Sequence, residues 1–185
     1  MQRVLVVPHD PLWAEEFARE SPRVALAMDA LLVAIHHIGS TAILGIHAKP
    51  IIDMLAVVSD LARVDGQDSQ LQALGYEVMG EFGIPGRRYY RKDNIHGNRT
   101  HQLHTFQVDS PQIERHLTFR DFLTAHREYA EKYDVLKQRL AELHPSDIKG
   151  YMDGKDAFIK EMDVRAAAWL AGLVSVGSRR TNRRT

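Results

Sequence analysis

One aspartate interrupts an otherwise apolar run, Pro50-Ile51-Ile52-Asp53-Met54-Leu55-Ala56-Val57-Val58. Taking an ionised carboxylate out of water costs several kcal/mol. The run is therefore predicted to be a strand that turns Asp53 toward a cleft, a metal or a cation; a strand-end carboxylate capping a loop is the alternative. Upstream, Gly39-Ser40-Thr41 makes a sharp polar break after another apolar run, Leu32 to Ile38. The ten histidines are clustered. His36, His37 and His47 bracket a glycine-containing loop, and His96, His101 and His104 lie in or beside a second segment, a distribution that suits either a metal site or polar positions around a cleft.

The elements that must carry these residues follow from apolar periodicity and breakers. Val4 to Val7 reads as an extended lead-in, and Asp10-Pro11 starts a helix that Pro22 is placed to split. Leu32 to Ile38 and the Asp53 run are strands. Asp60 to Leu74 reads as helix, with Gly75 positioned to end it. Tyr76 to Met79, the segment from Arg87 to Arg91 and Thr100 to Val108 supply further strands, the last two forming a hairpin. On the last of these, Gln102 and His104 share one face and His101 takes the other. From Pro111 onward the pattern is helical except at His144-Pro145-Ser146. Tyr129, Tyr133, Lys137 and Leu140 share one helical face, and Tyr151, Lys155 and Phe158 another. Helices following a sheet make an α+β chain: a mixed β-sheet flanked by helices, with a C-terminal helical layer. Residues 1–176 are expected to form one domain and 177–185, arginine-rich and without a run of apolar residues, a basic disordered tail.

Composition narrows the function classes. The 185 residues hold 24 basic and 24 acidic side chains, so net charge is zero, and 44% are hydrophobic. Such a chain builds a core without staples, and no global field steers it toward nucleic acid or an anionic membrane. Cysteine is absent, which removes disulfides and thiolate metal sites. No apolar run approaches the ~20 residues needed to span a bilayer, and the apolar stretch before Pro8 is too short for a secretion signal. The expectation is a soluble, cytoplasmic protein.

A strand, a Gly-Ser turn and a second strand bearing an acid resemble the opening signature of the nucleotidyltransferase superfamily. The block HIGSTAILGIHAKPIIDMLAVV, residues 37–58, resembles more closely the central block of the GrpB family (UPF0157-type), which typically reads HIGSTAVPGLAAKPIIDI. The likeness extends to Asp10-Pro11-Leu12-Trp13, to the segment from Gly83 to Lys92, to Arg99-Thr100-His101-Gln102-Leu103-His104, to the segment from Glu114 to Asp121 and to Lys155 through Ile159. It spans about residues 4 to 165. The visible departure is Ile43-Leu44, where the family often has Val-Pro.

The resemblance implies a nucleotidyltransferase-like fold in which Gly39, Ser40 and Thr41 hold nucleotide phosphates and Asp53 binds Mg²⁺. Active nucleotidyltransferases carry a second acid two residues after the first, on the same strand face; here that place is Leu55. Their third acid comes from a later strand, where His104 is the polar candidate, either as a metal ligand beside Asp53 or as a base. A satisfied histidine is the alternative. Basic groups offer another means of holding phosphate: Lys49, Arg87, Arg88 and Arg91 beside the cleft strands, and Lys137 or Lys155 from the helical layer. Arg88, Tyr90 and Lys92 alternate on one face, which singles out Arg88 and Tyr90. Three functions stay open. The first is Mg²⁺-dependent transfer of a nucleotidyl group from a nucleoside triphosphate to a small acceptor. The second, motivated by Leu55, is a non-catalytic nucleotide- or partner-binding module that assists another enzyme's folding. The third is a histidine–carboxylate metallohydrolase built on His36, His37, His101 and His104, although no HExxH pattern is present.

Overall fold

The structure is a computed structural model that describes residues 3–181, and side chains as far as 175. Its centre is a five-stranded mixed sheet: β1 (Leu32–Ile38), β2 (Ile52–Val58), β3 (Tyr76–Val78), β4 (Arg87–Asp93) and β5 (Arg99–Gln107), in the spatial order β1-β2-β5-β4-β3. Only the β2–β5 pair is parallel; the other neighbours run antiparallel. The lead-in before the first helix joins the fold through a bridge between Val7 and Ala48, a bond from the Val4 N–H to the Pro145 carbonyl and the packing of Val4 against Leu140 and Tyr151.

Because side chains alternate along a strand, the sheet has two distinct faces. Met54, Ala56, Val58, Leu103 and Tyr90 pack against α1 (Leu12–Met28) and the short α2 (Asp68–Ala73) in the main core. Side chains the size of Met54, Val58 and Leu103 each contribute about 1.5–3 kcal/mol on burial. The opposite face carries Asp53, Leu55, Gln102, His104 and Phe106, and is covered by α3 (Pro111–Ala125), α4 (Arg127–Leu143) and α5 (Ile148–Thr181).

The sequence pattern and the structure part in three places. Pro22 does not split α1. The hydrogen bond it removes is outweighed by the burial of Val24, Ala27 and Met28 on the far side of it. The segment expected to be helical from Asp60 is a turn and a 3₁₀ stretch, Val64–Gln67, with only Asp68–Ala73 as α-helix. A break also falls at His126, whose extended backbone (φ −120°, ψ 85°) divides α3 from α4. The ring of that histidine bonds the Phe122 carbonyl at 2.9 Å, closing the end of α3 without the glycine or proline that would mark a break. Of the expected basic tail, residues up to Thr181 continue α5 and 182–185 lie outside the described residues. No described helix is long and apolar enough to cross a membrane.

Candidate functional site

The turn after β1 brings the first group of site residues to the sheet. Gly39 adopts φ 72° and ψ −173°, a region essentially confined to glycine, and Ser40–Ala42 then form one 3₁₀ turn. Thr41 Oγ1 donates to the Ile51 carbonyl at 3.2 Å and pairs with His37 Nε2 at 2.9 Å. Its one proton goes to the carbonyl, so His37 Nε2–H is the donor of the second contact. That tautomer agrees with a His37 ring pushed down to about 4 by burial and by the Arg120 charge. Thr41 therefore ties the turn to the entry of β2, while Ser40 stays at the pocket wall.

Asp53 is the second residue of β2 and sits in register with Ile38 on β1 and Gln102 on β5. Its carboxylate lies against Gly39 and opens on a cavity of about 130 Å³ lined by Ser40, Thr41, Lys49, Ile51, Gln102, Tyr151, Met152 and Lys155. Lys49 arrives from the loop before β2. Lys155 arrives from α5, one turn after Tyr151, and its Nζ lies 4.4 Å from that ring's centroid. Among the described residues, the side chains of Lys49, Asp53 and Lys155 make no hydrogen bond or ion pair with each other or with any other group. Lys155 is nonetheless buried, with 8% of its surface exposed.

The electrostatics follow from this enclosure. Burial pushes Asp53 up to about 6, against the pull of Lys49 and Lys155. Burial, reinforced by Lys49, pushes Lys155 down to about 8, with Asp53 opposing. Lys49 is lowered in the same way, with Asp53 opposing and Arg99 adding to the effect. Tyr133 of α4 stands over the same region, its hydroxyl raised to about 12 chiefly by burial. A second cavity of about 240 Å³ adjoins the first, sharing Asp53, Gln102 and Met152 with it; its other walls include Ile38, His104, His116, Phe119, Tyr133 and Ile159.

Of the residues singled out in the sequence, the structure thus assembles Gly39, Ser40, Thr41, Lys49, Asp53 and Lys155. It removes Arg88 and Tyr90. Both project from β4 toward α2: Arg88 pairs with Asp65 and Tyr90 donates to Asp68 at 2.9 Å. The alternation that grouped them is real, but it places them on the sheet face away from Asp53. Lys137 is also committed elsewhere, because its ammonium donates to the His47 carbonyl and rests 4.7 Å over the Tyr133 ring.

His104 does lie on the Asp53 face, yet it suits neither a base nor a metal ligand. Arg87 Nη1 approaches His104 Nδ1 at 3.2 Å. A guanidinium only donates, so Nδ1 accepts and the neutral ring carries its proton on Nε2. With Nδ1 engaged by Arg87 and Nε2 protonated, no lone pair is free for either task, and burial, with His116 and Arg87 nearby, pushes the ring down to about 3. His101 points to the other face, toward α1. Among the described residues, no group of three histidine and acidic side chains could hold a metal ion.

The Mg²⁺ implied by the resemblance does not fit this donor set. A hard dication needs several oxygen ligands, and here Asp53 is the one carboxylate of the smaller cavity, flanked by two ammonium groups. Leu55, at the place of a second acid, is fully buried against Ile38 and Phe106.

The GrpB protein family profile matches residues 3–165. The chain belongs to the GrpB family. It is 44% identical over 171 residues to YqkA of Bacillus subtilis; the match covers 92% of this chain and 49% of YqkA, so the chain spans about half the length of that relative. The crystal structure of the conserved protein GrpB from Enterococcus faecalis superposes with a TM-score of 0.84 at 42% identity, covering 88% of this chain and 96% of that one. The poly(U) polymerase Cid1, bound to its short product ApU, aligns at a TM-score of 0.49 and 12% identity over 71% of this chain and 42% of that one, too distant to bear on the site.

Two residues that complete this GrpB pocket, Gln102 and Tyr151, were not singled out as ligand-binding groups. Gln102 was legible as a neighbour of His104 on one strand face. The spacing of four between Tyr151 and Lys155 is the sequence signal for an aromatic ring beneath an ammonium group.

Proposed function

We propose that this GrpB-family protein binds the phosphate groups of a nucleotide without the two-metal chemistry of active nucleotidyltransferases. The observation that carries the reading is the convergence of Lys49, Lys155 and Asp53, all without hydrogen-bond or ion-pair partners among the described residues, on one cavity walled by the Ser40 turn. Charged groups held out of water without partners cost folding free energy. A site that keeps two ammonium groups in this state is organised for an anion. The smaller cavity suits a phosphate group, and the adjoining one, walled by Phe119, Tyr133, His104 and His116, suits a nucleoside.

Calorimetric titration with nucleoside mono-, di- and triphosphates, each with EDTA and with Mg²⁺, tests the reading. Binding in EDTA that weakens about 10-fold or more in Lys155→Met supports it, since a charge-assisted hydrogen bond is worth about 1.5–3 kcal/mol. Binding seen only with Mg²⁺ overturns it. Transfer of a nucleotidyl group to a small acceptor is the second reading, supported by the register that sets the Gly39-Ser40 turn against Asp53. Product formation across a panel of triphosphates and acceptors, abolished by Asp53→Asn, would establish it in place of the first.

A further inference from the structure

Two lysines explain why an anion enters the cavity. They do not explain why a carboxylate stands beside it. Asp53 lies on the wall shared by the two cavities, without a hydrogen-bond partner among the described residues, its backbone fixed in the middle of the sheet and its carboxylate wedged against Gly39. The groups facing it from the surrounding elements are Lys49 before β2, Gln102 on β5, Tyr89 on β4, Tyr133 on α4 and Lys155 on α5. The tyrosines and the glutamine are neutral, as are the buried His104 and His116 of the larger cavity, and Arg115 and Asp163 on its wall pair with each other, so among the described residues Lys49 and Lys155 supply the charge opposing it. An ionised carboxylate accepts hydrogen bonds and cannot donate one. Placed next to a fully ionised phosphate it repels, as two carboxylates sharing a site repel. The juxtaposition becomes favourable when one proton lies between the two oxygens.

We propose, building on the phosphate-binding reading above, that the group seated between Lys49 and Lys155 is a terminal phosphate monoester, or inorganic phosphate, which shares a proton with Asp53. The site then rejects sulfate and phosphodiesters, anions of similar shape that bring no proton. Chemistry supplies the match: a phosphate monoester loses its second proton only near pH 6, and the unpaired Asp53 carboxylate on the shared wall offers the acceptor oxygen for that proton. The lysines and Ser40 bind the remaining oxygens. For a nucleotide, selection falls on the terminal phosphate and excludes internal positions of a polynucleotide.

Calorimetry in chloride buffer with inorganic phosphate and with sulfate reads the proposal directly. Wild-type protein at pH 6.5 is expected to prefer phosphate by more than about 10-fold, because the sulfate complex leaves a buried charged acceptor unpaired. Asp53→Asn, whose amide can donate, is expected to bind the two anions equally or to favour sulfate. Equal affinity of the wild-type protein for both anions overturns the proposal without needing a variant, as does a phosphate preference retained in Asp53→Asn. Lys155→Met separates the two levels. If it weakens both anions alike while selectivity is missing, the lysine-held phosphate site stands and the shared proton falls. If neither anion nor any nucleotide binds the wild-type chain, both fall.

Discussion

Gly39 and Asp53 meet so closely that a Cβ built on the glycine would overlap Asp53 Oδ2 and stand 3.0 Å from its Cβ. The turn that carries Ser40 is thereby locked to the carboxylate that faces it. Gly39→Ala must strain a backbone conformation reserved for glycine and push the carboxylate aside. The expected cost is about 2–4 kcal/mol of stability, measured by urea unfolding, together with loss of phosphate binding. An alanine variant that keeps both wild-type stability and anion affinity would show that the two residues are not coupled.

Leu55 tests whether a metal site can be restored by one substitution. It points to the same face as Asp53, but no water reaches it, and it packs with Ile38 and Phe106 beneath Ile113 and Leu117. Leu55→Asp removes this packing and buries a charge with no partner, so a loss of at least about 3–5 kcal/mol is expected, with no gain of Mg²⁺-dependent activity. A variant of near-native stability that acquires such activity would contradict the structural account of that face.

The strand bearing Asp53, its apolar flanks and the mixed sheet were legible because alternation and breakers coincide there. The Lys155 contribution was legible as a helical position, although its meeting with Lys49 depends on how α5 crosses the sheet, which no local pattern encodes. Arg88 and Tyr90 illustrate the limit. Period-two alternation tells which residues share a face, but the choice between α1–α2 and α3–α5 as the covering layer is made by tertiary packing. The break at His126 was hidden for a different reason: a histidine ring bonding a carbonyl one turn back does the work usually assigned to glycine or proline.

That choice of face yields a paired prediction. The Arg88–Asp65 ion pair is largely solvated, with the aspartate side chain 52% exposed, so Arg88→Ala is expected to cost under about 1 kcal/mol and to leave phosphate affinity unchanged. Lys155→Met should lower that affinity about 10-fold or more. Calorimetry on both variants decides; equal effects would mean that the anion sits on the α2 face after all.

His104 is expected to remain neutral throughout pH 5–8, since burial holds its pKa near 3. Its proton should reside on Nε2, because Nδ1 accepts from Arg87. Nitrogen-resolved NMR of the imidazole rings reads both statements. A His104 ring that titrates near pH 6.5 would return it to candidacy as a base.

The buried lysines set how stability of the ligand-free protein varies with pH. Lys137 is pushed down to about 7 and Lys155 to about 8, in both cases first by burial, whereas in the unfolded chain they titrate near 10.4. Below pH 7 both states hold these protons and the fold bears the full cost of two buried charges. As pH rises through 7 and 8 the folded state releases them while the unfolded chain keeps them, so unfolding free energy increases. Asp53 acts oppositely, its ionisation lowering stability as pH climbs through about 6, and its effect is largely complete before the lysine window opens. The net expectation is a rise on the order of 2–4 kcal/mol between pH 6.5 and 9, where most domains change little. Urea unfolding across that range in phosphate-free buffer measures it. Lys137→Met should flatten the larger part of the slope even though it forfeits the bond to the His47 carbonyl, because the slope depends on proton release and not on the contact itself. A flat wild-type profile, or a full slope surviving in Lys137→Met, would mean that these ammonium groups are better solvated than their enclosure by Tyr133, Tyr151 and the sheet implies.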